Sequence, residues 1–358
     1  MRFQARGSSY CLPTSALSFA AAAILTTASR PGRAEVVIDP ALPAYVAQAQ
    51  VRGEIAVAGN HATDEAMAEW AKAFAAHQPG VHVSLRKDTH LTTDAFDLAI
   101  AEGGIDLIPS ARELVPSEVE RLTRSLGGAP LVIAVATGSY ATKSGTHAIA
   151  FYVNDANPLT RISLEQIRDI YTPGGQITRW GQLGLTGEWA DQPIHVFSIP
   201  VSDPNGNPLG IINYLQGRVF RTSNGLRRSL YQIDSNGPGL GQHMLTRIVR
   251  QVAEDRYAIG FSGFSFAAPG AKTLAISETN AGPWYQGTPD EVARRVYPLT
   301  RTIYLGVNQR AGKPLAPVVR EFLLFILSRE GQETFTHGAE KYLPLTAEAA
   351  ARERVKVH

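Results

Sequence analysis

The chain has 358 residues, of which 44% are hydrophobic and 18% charged, with one cysteine and a formal net charge of +2. Such a composition belongs to a folded chain long enough for two domains, and excludes intrinsic disorder and a disulfide-stapled scaffold. The positive sum comes from Arg2, Arg6, Arg30 and Arg33 in an acid-free leader. Residues 35–358 hold 30 basic against 32 acidic side chains, a net of −2, so no basic field remains for nucleic acid or an anionic membrane.

In chain order, residues 1–34 come first and read as a secretory signal peptide. Arg2 and Arg6 form a positive start, Ala16 to Ala28 a short apolar run, and Gly-Arg-Ala before Glu35 a small-residue cleavage site. Thirteen apolar residues are too few to cross a bilayer as a helix. Cys11 lies before the apolar run, so the exported product is expected to be soluble and free of cysteine. Thiolate chemistry is excluded with it.

The run EIAVAG from Glu54 predicts a buried strand, followed by a polar turn and a helix over EAMAEWAKAFAAH with Met67, Trp70, Ala71 and Phe74 on one face. PGVHVSL is a second strand, leading through KDTHLTTD (Lys87 to Asp94) into a helix. IDLIPSA repeats strand then turn, and PSEVERLTRSL is a helix entered through proline. Three strand–loop–helix units predict an α/β domain with a mostly parallel sheet, whose ligand crevice lies at the carboxyl ends of the strands.

Farther on, AIAFYVN, PIHVFSI, AIGFSGFSFAA and RTIYLGVNQ read as strands. SLEQIRDIY, GIINYLQGRVF and LGQHMLTRIVRQVAED read as helices, and APVVREFLLFILSREGQETF as one long helix with an apolar face at Val318, Phe322, Phe325 and Ile326.

Ala148 to Leu183, Ala258 to Ala267 and Tyr297 to Leu345, with GGIDLIPSARELVPSEVERL ahead of them, resemble in order the periplasmic phosphate-binding proteins of the PstS type. The resemblance implies a two-lobed periplasmic binding protein type II fold: α/β, with mixed, mainly parallel sheets, flanking helices and a ligand cleft between the lobes. It further implies a discontinuous first lobe (35–150 plus 300–358), a second lobe (151–299), an ABC permease as partner, a monomer, and no cofactor or metal. The protein would be periplasmic or secreted.

The family's anion contacts come from four places, and this chain matches the positions more than the chemistry. At the first turn stand Asn60, His61 and Thr63, with a plain helix cap as the competing role. The second turn has Thr89, Thr92 and Thr93 but none of the family's glycines. Asp106 matches the family's aspartate after the third strand, where a carboxylate accepts a hydrogen from a protonated anion. Ser110 and Arg112 match its Ser-x-Arg, with ligand contact and loop fixing weighted equally. Where the family has an arginine and Ser-Gly-Thr, IPVSDPNGNPLG offers Asp203, Asn205, Gly206 and Asn207 and no arginine. An arginine from elsewhere in the chain, Arg112 or Arg179 among them, could supply the cation. Asn236, in SNGPGLGQ, completes the candidate set.

The leading expectation is therefore a solute-binding protein for phosphate or a related small oxyanion. The alternative is a diverged binding or scaffold protein that takes an uncharged, cationic or larger polar solute. An enzyme is the third class: His61, His90, Asp64 and Asp88 share loops, but no metal-ligand spacing or nucleophile-turn motif accompanies them.

Overall fold

The computed structural model describes Met1 and residues 38–60, 63–86, 95–96, 99, 103–140, 146–201, 209–221, 226, 231–232, 240–336 and 342–357. Residues Ala34–His358 form one compact unit, built on two five-stranded sheets.

The first sheet contains β1 (Gly53–Ala58), β2 (Val81–Arg86), β3 (Leu107–Ser110), β4 (Leu131–Thr137) and the late strand β12 (Thr302–Val307), in the order β2-β1-β3-β12-β4. β2, β1 and β3 run parallel, whereas β12 is antiparallel to both β3 and β4. Period-two alternation gives the sheet two apolar faces. Val57 and Leu107 join one core with Trp70, Phe74 and Phe322, while their neighbours Ala58 and Ile108 join another with Phe96 and Leu122.

Helix α1 (Asp64–His77) buries Met67, Trp70 and Phe74 as its spacing predicts, with Ala66 rather than Ala71 completing the face. Helix α2 (Pro116–Leu126) follows β3. The Trp70 indole N–H donates to Gly331 O at 2.8 Å.

The second sheet has the order β10-β5-β9-β7-β8, formed by β5 (Ile149–Asn154), β7 (His195–Ser198), β8 (Tyr231–Gln232), β9 (Ala258–Gly263) and β10 (Ala271–Thr273). A two-stranded piece, β6 (Arg161–Ser163) with β11 (Ala275–Ser277), lies beside it. Around this core are α3 (Leu164–Tyr171), α4 (Gly210–Leu215, continuing as a π turn to Phe220), α5 (Leu240–Glu254) and α6 (Pro289–Ala293). Ser163 caps α3 by accepting from Gln166 N, and the Gln166 side chain returns the bond.

Two strand and helix expectations are corrected. Only Ala258–Gly263 of AIGFSGFSFAA is extended, and Phe264–Phe266 turn as a 3-10 segment. The long C-terminal helix is two, α7 (Pro317–Ile326) and α8 (Arg329–Glu333), because Ser328 breaks out and caps the second through Gly331 N. Val319, not Val318, is its buried valine. α9 (Ala347–Val357) closes the chain against β4, where Glu353 accepts from Ala134 N.

An N-terminal strap lies over α7 and α8. Glu321 of α7, 2% exposed, accepts from the Tyr45 hydroxyl at 2.8 Å, from Ala49 N at 3.0 Å and from Gln48 N at 3.3 Å. Burial first, and then the Glu321 carboxylate, pushes the Tyr45 hydroxyl from 10.0 up to about 12. The phenol's folded pKa is raised, so its contribution is complete below pH 10.0 and disappears as pH rises through about 12. Urea titrations should show wild type losing stability over that window and Tyr45→Phe losing less. Glu321→Ala, which orphans three donors, should cost about 3 kcal/mol at neutral pH.

Candidate functional site

The chain passes between the sheets twice, in the segments just before β5 and just before β12, and the two passages are hydrogen bonded. Ile149 N donates to Leu299 O at 3.1 Å and Gly138 N to Arg301 O at 2.8 Å. Here the carboxyl ends of β1, β3 and β4 meet the start of α4, so the parallel-sheet crevice and the lobe junction coincide.

Asn60 N donates to Asp64 Oδ1 at 2.7 Å, and Asn60 O accepts from Thr63 N and Asp64 N. The Thr63 hydroxyl also donates to Asn60 O, and Asn60 Nδ2 reaches Pro109 O at 3.4 Å. The turn is tied largely to itself, with Thr63 at the cap of α1. Ser110 donates to Arg112 O at 2.6 Å, which fixes the next turn.

Arg112 is committed to the same lobe. Its guanidinium forms a two-pronged pair with Glu118 of α2, at 2.8 and 2.7 Å, and also donates to Glu113 O. Glu118 further accepts from Val115 N, so one buried carboxylate fastens the loop to the start of α2. Loop fixing, one of its two expected roles, is what these bonds perform.

Asp106 is not in the loop after β3. It precedes the strand, four residues and about 13 Å of strand from Ser110. Its Oδ2 accepts from Ala56 N at 2.8 Å, and it borders a cavity of about 600 Å³ at the opposite end of the first sheet. The expectation took Ile105 and Asp106 into the strand, whereas the parallel register pairs Val57 with Leu107 and leaves Asp106 to bridge to β1 from below. The residue that does follow β3 is Ala111, whose carbonyl accepts from the Thr146 hydroxyl at 2.7 Å and from Arg301 Nη2 at 3.0 Å.

Arg179, the other proposed cation, is exposed and donates to Asp191 O in its own lobe. His61, Thr89, Thr92, Thr93, Asp203, Asn205, Gly206, Asn207 and Asn236 lie outside the described residues. The ends of the loop that holds Asp203 to Asn207 do meet: Leu209 N donates to Val201 O at 3.3 Å, immediately before α4.

Sequence reasoning missed Arg301. It is 6% exposed, packs over the Tyr214 ring at 5.5 Å, and its Nε has no hydrogen-bond partner. No carboxylate among the described residues lies within ion-pair distance of it. A methyl group built on Gly210, the first residue of α4, would sit 3.5 Å from Arg301 Nη2 and 3.9 Å from Arg112 Cδ. The guanidinium thus stands beside the first residue of α4, just after Leu209. Burial pulls it below its ordinary range, and the nearby Glu113 carboxylate pulls it back up. Glu113 Oε2 is itself buried without a partner. A lone arginine inside the otherwise apolar run YPLTRTIYLGV was the available signal.

Beside this pair a cavity of about 570 Å³ separates Glu113 to Pro116 of the first lobe from Asn213, Tyr214, Gln216, Gly217, Arg218 and Arg221 of the second. Among the described residues no cluster of three His, Cys, Asp or Glu could hold a metal, and no helix is long and apolar enough to cross a membrane. Glu118→Ala should cost about 3–5 kcal/mol in urea unfolding, because it removes the two-pronged carboxylate partner of a largely buried guanidinium. The further loss on adding Arg112→Ala should be much smaller than that of Arg112→Ala alone.

Comparison with known proteins gives consistent matches. The family model described as a PBP superfamily domain matches residues 45–330. The phosphate-binding protein PstS of Pseudomonas aeruginosa is 26% identical over 340 residues, 92% of this chain and 96% of that protein. Protein SphX of Synechocystis is 25% identical over 207 residues, 56% of this chain and 55% of that one. Among solved structures, PstS from Borrelia burgdorferi superposes with a TM-score of 0.55 at 15% identity, and an ABC-type phosphate transport receptor from Vibrio cholerae with 0.53 at 20%. Each covers 82% of this chain and 100% of its own, a likeness of fold.

Proposed function

The chain belongs to the PBP superfamily, a class of solute-binding rather than catalytic proteins, and we propose that its solute is a small protonated oxyanion, phosphate, held between the lobes. The protein is periplasmic or secreted, in line with its relatives. The reading includes cleavage of the leader after Ala34 and delivery to an ABC permease, the context named for the Vibrio cholerae receptor.

One observation carries the ligand class: a buried guanidinium, Arg301, at the lobe junction with an unpartnered N–H and no carboxylate in ion-pair range among the described residues. A charge taken out of water without a partner is costly, and an incoming anion supplies the missing partner with charge-assisted hydrogen bonds. Glu113 Oε2, also buried and unpartnered, adds an acceptor close to that cation. An anion that still carries a proton can donate to Glu113 while accepting from Arg301. Phosphate does so at neutral pH and sulfate, fully deprotonated, cannot. Glu113 thereby takes the discriminating role that the resemblance had assigned to Asp106.

Calorimetric titration of ligand-stripped residues 35–358 tests this. Phosphate should bind and sulfate should bind far more weakly. Arg301→Gln should lose about 2–5 kcal/mol of phosphate affinity, and Glu113→Gln should narrow the gap between the two anions. Absence of phosphate binding would remove the anion reading and favour the uncharged or cationic solute instead.

A further inference from the structure

The strand that carries Arg301 toward the junction shows its neighbours Thr300 and Thr302 to a different space. These two line a separate polar pocket of about 200 Å³, together with Tyr214, Arg218, Glu278 and Arg295. At about 30 Å³ per water molecule, that volume holds a small anion with some of its hydration and excludes a nucleotide or a sugar.

Several features of the pocket suit a small anion. Arg295 Nε and Nη2 are buried and have no hydrogen-bond partner. These two nitrogens form one edge of the guanidinium, the edge that grips two oxygens of a single carboxylate or phosphate. The Thr300 hydroxyl oxygen is likewise buried without a partner. Arg218 at the same pocket is already paired with Glu278, so the lining charges sum to one unmatched positive charge, that of Arg295. Arg295 also holds a left-handed backbone at φ +58°, which residues with a side chain avoid. Burial pulls its guanidinium below the ordinary range, while Tyr304 and the Glu353 carboxylate, which do not line the pocket, pull it back up and Arg352 adds to the lowering.

We propose that this pocket is a second anion site, distinct from the cleft, in which the free edge of Arg295 grips two oxygens of a small carboxylate or inorganic oxyanion and Thr300 supplies a hydroxyl. Its position gives it a means of acting on the cleft. The Tyr214 hydroxyl donates to Thr300 O at 2.9 Å, and the Tyr214 ring lies under Arg301. An anion bound here stiffens the crossing strand on one side while the cleft solute engages the same strand on the other.

The test uses residues 35–358 carrying Arg301→Gln, which separates this site from the cleft, with sodium phosphate and sodium acetate as probes at constant ionic strength. The expected result is a saturable rise in thermal midpoint with calorimetric binding of one anion. Adding Arg295→Gln should remove it. Arg295→Lys, which keeps the charge and loses the fork, should weaken binding about tenfold, and Thr300→Val should weaken it several-fold. The acetate and phosphate arms distinguish a carboxylate ligand from an inorganic one. No saturable anion effect in the Arg301→Gln protein, or one that survives Arg295→Gln undiminished, overturns the proposal. Failure of the cleft reading has a different signature, namely phosphate affinity unchanged by Arg301→Gln in the otherwise wild-type chain.

Discussion

Everything at the lobe junction depends on two crossing segments bound side by side, one of which buries a guanidinium against Ala111 and Tyr214. The bonds from Ile149 N to Leu299 O and from Gly138 N to Arg301 O make the crossings a short two-stranded ribbon. Tyrosine hydroxyls reinforce it from within, Tyr297 onto Ile149 O and Tyr214 onto Thr300 O. A ribbon held this way bends as a unit, so the sheets can change their mutual angle without losing the register that places Arg301.

The buried cation makes that hinge a liability without a ligand. Arg301 gives up hydration for one bond to Ala111 O and the face of Tyr214, which leaves its Nε wanting. Desolvation of an unpaired charge opposes closure, whereas an anion between the lobes reverses the sign of that term. On the function proposed above, closure would follow from the placement of one charge just before β12. Arg112, by contrast, is paired with Glu118 at the start of α2, which fastens its loop to that helix.

Much of the fold was legible because it rests on local pattern. The apolar runs EIAVAG and IDLIPSA marked β1 and β3, and the spacing of Met67, Trp70 and Phe74 marked α1. Where local signals compete, reading was weaker. The long C-terminal helix hid a break at Ser328 because its apolar residues keep helical spacing on both sides of the cap. Asp106 was misplaced because IDLIPS reads as strand throughout, and only pairing with β1 decides where the ladder begins.

The amino-acid order by itself determined the class of fold and most of the run of strands and helices, since period and turn chemistry are properties of short segments. Only the tertiary structure decided which charges face one another. Arg112 and Glu118 are six residues apart and cancel, while Glu113, 188 positions before Arg301 in the chain, comes near enough to raise the affinity of that guanidinium for its proton without pairing with it. Electrostatic partnership is set by distance and burial after folding, and no spacing along the chain encodes either.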